Sequence, residues 1–69
     1  MTDTKALKNW IDDNGLKIKA IAKAIGITPY ALSMKINNER EFKASEIAAF
    51  VDIFGMTPTM RDRIFFASV

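Results

Sequence analysis

The chain has no cysteine and no histidine among its 69 residues. The first absence excludes disulfides and thiolate metal sites. The second removes the commonest general base, the commonest metal ligand and the ordinary physiological-pH switch. Long hydrophobic runs are missing as well: no apolar stretch approaches the roughly 18 residues needed to span a membrane. The opening MTDTKALKN lacks the apolar segment of a signal peptide, which points to the cytoplasm. Without imidazole or thiol, catalysis would rest on carboxylates, lysine, serine or tyrosine. The one adjacent acidic pair, Asp12-Asp13, does not converge, because neighbours on a helix do not face each other. The chain is therefore not expected to be an enzyme, nor to carry a metal or a cofactor. Nothing in it resembles a small-molecule pocket.

What is present is apolar and helical in period. Hydrophobic residues make up 49% of the chain, enough for one small domain spanning 1–69. A chain this short buries only about 60% of its unfolded surface, so its core must be efficient. The most informative stretch is Ile18 to Asn37, IKAIAKAIGITPYALSMKIN. Ile18, Ile21, Ala22 and Ile25 fall at i, i+3, i+4, i+7 and form one apolar stripe. Gly26 can close that helix in the left-handed conformation. Ile27 then turns inward, and Thr28-Pro29 supplies a capping hydroxyl followed by proline at the first helical position. Leu32 and Ile36 give the next helix its buried side.

The rest parses into three further helices, for an all-α, five-helix bundle. Helix 1 is predicted from Thr4, as its cap, to Asn14, with Leu7, Trp10 and Ile11 inward. Helix 2 is predicted over 18–25 and helix 3 over 29–37. Helix 4 follows at 44–54, with Ile47, Phe50, Val51 and Phe54 inward, Gly55 closing it and Glu46 serving the amides and dipole of its first turn. Thr57-Pro58 opens helix 5, predicted to Phe66. Asn38-Glu39-Arg40-Glu41 is a polar connection, after which Phe42 folds back as an apolar anchor.

The net charge of +2 is modest, but its distribution is uneven. Lys17, Lys19, Lys23, Lys35, Arg40 and Lys43, against Glu39 and Glu41, give residues 17–43 a charge of +4, while each flank carries −1. The cationic surface is thus centred on the two-helix segment, as expected of an electrostatic footprint.

Ala22, Gly26, Ile27, Leu32 and Ser33, with the pair Asn37-Asn38, resemble the lambda-repressor and Cro type of helix-turn-helix domain, an XRE-like family of phage and bacterial regulators. The stretch EFKASEIAAFVDIFGMTP is similar to the fourth helix and following turn of small phage regulators. The resemblance covers Leu16–Phe66. It implies a transcriptional regulator that binds double-stranded DNA and inserts helix 3 into the major groove, N-terminal residues nearest the bases. The candidate base-contacting residues are Thr28, Tyr30, Ser33, Met34 and Asn37. The candidate phosphate contacts are Lys17, Lys19, Lys35, Asn38, Arg40 and Lys43. Two departures matter: Ile18 stands where many members have glutamine, and helix 3 holds neither arginine nor glutamine. Readout is therefore expected to lean on thymine methyl groups and DNA shape rather than on guanine.

Family members commonly pair on palindromic sites. Surplus apolar residues toward the end of the chain, Ile53, Met56, Met60, Phe65, Phe66 and Val69, suggest a homodimer surface. The competing functions are a protein-binding adaptor or antirepressor, and the antitoxin of a toxin–antitoxin pair.

Overall fold

The structure, a computed structural model, describes residues 1–66. Among these residues there are five α-helices and no strands: α1 Thr4–Asp13, α2 Ile18–Ile25, α3 Pro29–Ile36, α4 Ala44–Asp52 and α5 Pro58–Phe65. No helix among them is long and apolar enough to cross a membrane. They fold into a compact all-α bundle of 28 × 24 × 21 Å.

The start and stop chemistry explains where the helices lie. Thr28 and Thr57 both take up extended backbone, and their hydroxyls accept the N–H groups of Ala31 at 3.0 Å and Met60 at 3.1 Å. Each is followed by proline, whose missing N–H costs nothing at that position. Gly26 closes α2 with φ +82°, a left-handed conformation that glycine adopts without strain. α1 departs from expectation. Its cap is Asp3, not Thr4: the Asp3 N–H donates to the Ile64 carbonyl at 2.7 Å, and its carboxylate accepts the Ala6 N–H at 3.1 Å. That frees the Thr4 hydroxyl to donate to the Ile36 carbonyl, 2.6 Å away on α3. The expected ends of helices 1, 3 and 5 overran by the capping residue. The end of helix 4 overran by two, because Ile53 is its cap and Phe54 belongs to the turn.

The core is built around Phe50, which is fully buried. Trp10 and Phe42 stand edge-on to its ring, each at 5.8 Å, and Phe65 lies 5.3 Å from it. Edge-on aromatic pairs add roughly 0.5–1.5 kcal/mol beyond the area they bury. Phe42 also meets Phe65 at 5.1 Å, so it anchors the connection between α3 and α4 as the sequence suggests. Leu7, Ile11, Ile21, Ala22, Leu32, Ile36, Met56 and Ile64 complete the buried set. α2 packs most closely on α3, with Ala22 fully buried, and α3 also rests on α1.

Candidate nucleic-acid interface

α3 buries its far end and displays its start. Leu32 and Ile36 face the core, while Thr28, Pro29, Tyr30 and Ser33 are exposed and Met34 is half-buried. Tyr30 is the exposed large side chain of this face, at 74%. Of the five candidate readers, Thr28 already uses its hydroxyl oxygen as a cap acceptor, and Asn37 is exposed as the C-cap of α3. The outward face therefore offers an aromatic ring with its hydroxyl, a serine hydroxyl, an amide and part of a thioether. It presents no ionised group.

That neutrality corrects one expectation. Lys35 does not reach toward a phosphate: it is 6% exposed and lies against Glu46, itself 5% exposed. The Lys35 Nζ donates to both Glu46 carboxylate oxygens at 2.6 Å. Oε1 also accepts the Lys43 N–H at 2.8 Å, which serves the start of α4 where Lys43 has no capping oxygen of its own. Burial pushes the Glu46 carboxyl up. The hydrogen bonds from Lys35 and the Lys43 amide, with the charges of both lysines, outweigh it and hold the carboxyl below its ordinary value. Register offered a signal: Lys35 follows Leu32 by three and precedes Ile36 by one, at the margin of the buried stripe, and Glu46 precedes Phe50 by four.

Asn38 is also committed within the chain. Its φ is +63°, the left-handed position that asparagine tolerates after a helix. Its amide accepts the Thr2 N–H at 2.9 Å, donates to the Thr2 carbonyl at 2.8 Å and lies 3.3 Å from the Thr4 hydroxyl. Asn38 is thus a strap joining the start of the chain to the end of α3, and its amide is not free for a phosphate. With the Thr4 hydroxyl on Ile36 and Glu46 on Lys35, the C-terminal end of α3 is held from two directions.

The remaining cations are exposed: Lys17 and Lys19 at the start of α2, Arg40 in the connection after α3, and Lys43 before α4. The only ion pairs among the described residues are Lys35–Glu46 and Arg61–Asp62, so none of these four is in a salt bridge among them, although the charge of Lys43 acts on Glu46. Lys17 occupies the α2 cap with no side-chain acceptor, which leaves first-turn amides without a side-chain partner in a stretch that also carries Lys19.

The candidate pairing residues separate. Ile53 and Phe66 are 55% and 60% exposed. Met60 is half-buried against the core. Met56 and Phe65 are core residues and correct the expectation. The Met56 N–H donates to the Phe50 carbonyl at 3.1 Å and its side chain is buried in the core, while Phe65 packs on Phe42 and Phe50. Val69 lies outside the described residues. A cleft of about 230 Å³ is lined by Phe42, Ile47, Phe65 and Phe66, among others, and one of about 360 Å³ by Trp10, Asp13, Met60 and Arg63, among others. Compared with protein-family models, with curated proteins and with solved structures, the chain matches none.

Proposed function

We propose that this chain is a sequence-specific double-stranded DNA-binding transcriptional regulator of the lambda-repressor and Cro kind, in which α2 and α3 act as a helix-turn-helix and α3 enters the major groove. The observation that carries this reading is the contrast along α3. Its C-terminal end is anchored to α1 and α4, and its N-terminal turn, joined to α2, presents Thr28, Pro29, Tyr30 and Ser33 to solvent, with Tyr30 74% exposed. A reading helix needs that arrangement, because the residues nearest its start meet the base edges. Exposed cations at the start of α2 and after α3, in no salt bridge among the described residues, support it further: Lys17, Lys19, Arg40 and Lys43 are available for phosphates toward both ends of the motif in sequence.

The reading face favours C5-methyl groups. Tyr30 and Met34 provide apolar contact, Tyr30, Ser33 and Asn37 provide hydrogen bonds, and no guanidinium is present to bridge guanine O6 and N7. Two copies are expected on DNA, with Ile53 and Phe66 as the exposed apolar residues available to pair them. The test is selection from a random duplex library, followed by binding at several salt concentrations. A recovered site that binds more tightly than random DNA, and weakens when uracil replaces its thymines, supports the reading. Absence of salt-dependent binding overturns it in favour of a protein-binding adaptor. Sedimentation on a two-half-site duplex counts the copies.

A further inference from the structure

Lys35 and Glu46 stand on different helices, and both are withdrawn from solvent. A buried ion pair is a poor source of net stability, since apolar residues of similar volume often do as well or better. What it supplies is a fixed length and direction. Here one carboxylate serves two partners: the Lys35 ammonium at 2.6 Å to each oxygen, and the Lys43 amide at 2.8 Å. Between those partners runs the connection that carries Arg40. Its near end is already bound to α3, because the N–H groups of Glu39 and Arg40 both donate to the Met34 carbonyl, at 2.8 and 3.3 Å. Glu46 therefore closes a ring that runs from α3 through the connection to the start of α4 and back. The ring fixes where Arg40 and Lys43 sit relative to Ser33, Met34 and Asn37.

We infer that Lys35 and Glu46 are a specificity-determining positioning pair, which holds the cationic connection in one register against α3 so that phosphate and base contacts are made together. This rests on the DNA-binding reading above. Base readout needs its groups held to about 0.5 Å. Long lysine and arginine side chains reach phosphates from many positions. Loosening the ring therefore costs recognition of sequence and spares attachment to DNA.

The full chain carrying Lys35→Met with Glu46→Leu fills the same space without the ion pair. Glu46→Asp keeps the charge and shortens its reach by one methylene. Both are compared with wild type by anisotropy on the selected site and on random duplex, at several salt concentrations, with urea unfolding as the check on folding. The expected result is a loss of about tenfold or more on the selected site, the size of one forfeited base pair contact, with random-duplex affinity and salt slope unchanged. Glu46→Asp gives a smaller loss of the same kind. A folded double variant with the wild-type ratio of specific to non-specific affinity overturns the inference, and so does an equal loss on both duplexes. If the double variant does not unfold cooperatively, Glu46→Asp decides by the same ratio. A wild-type chain without any site preference overturns the DNA-reading proposal itself, and this inference with it.

Discussion

Glu46 ties the fold to pH in a direction that follows from its surroundings. Its carboxyl is held below the ordinary glutamate value of 4.5 in the folded chain and returns to that value on unfolding. The folded state then binds fewer protons than the unfolded one, so stability falls as pH falls. The contribution is complete above pH 4.5 and is lost as pH drops from there through the lower folded value. Urea unfolding between neutral pH and pH 3 is expected to fall less steeply for Lys35→Met/Glu46→Leu than for wild type. Asn38 poses a different question, because it combines a left-handed backbone with a side-chain strap. Asn38→Gly keeps the conformation and loses the strap. Asn38→Ala loses both, and is expected to be less stable than Asn38→Gly by about 1 kcal/mol, read by thermal unfolding. Neither residue's role could be seen fully in the sequence. Lysine is by default exposed, and no local pattern shows a carboxylate eleven residues on rising to meet it across a loop. The asparagine pair marks the end of α3, but its bonding to Thr2, 36 residues away, is a product of tertiary packing.

Helix boundaries were legible where the chain carries punctuation. α2 runs Ile18–Ile25 as predicted, because Gly26 closes it and Thr28-Pro29 restarts the chain at once. α4 was overrun because Ile53 and Phe54 continue its apolar rhythm, and Phe54 still packs on Phe50 at 6.3 Å after the helix has ended. The two Thr-Pro starts allow a controlled comparison. Thr28 and Thr57 make the same hydrogen bond, 3.0 and 3.1 Å long, on helices of equal length. Replacing either with alanine removes one exposed cap, at a cost of about 1 kcal/mol. For a domain of this size that lowers Tm by roughly 4–8 °C. Calorimetry should give similar losses for both, whereas binding to the selected DNA site should suffer further only in Thr28→Ala. Additional loss in Thr57→Ala would move the reading surface away from α3.

With a longest extent of 28 Å, the described fold is shorter than the turn of DNA, about 34 Å, that separates paired half-sites. On the proposed reading one copy would cover a single half-site, and with Met56 and Phe65 assigned to the core, Ile53 and Phe66 are the candidate pairing residues that the described surface exposes. The sequence showed more apolar residues near its end than one short helix could bury. It could not show which of them the large Phe50 cluster would absorb, since that depends on ring volumes meeting from three elements. The same holds for charge. A count along the chain gives residues 17–43 six cations, yet Lys35 is spent internally, and four at the candidate surface are exposed and outside any salt bridge among the described residues. Each phosphate neutralised contributes roughly 0.9 to the slope of log K against log salt, so Lys17, Lys19, Arg40 and Lys43 together predict about −3.6 per bound chain. Counting Lys35 as a fifth contact would give about −4.5. Lys17→Ala and Arg40→Ala should each lower the slope by roughly 0.9 and weaken selected and random duplexes in parallel. A loss confined to the selected site would instead make the substituted residue a reader of bases.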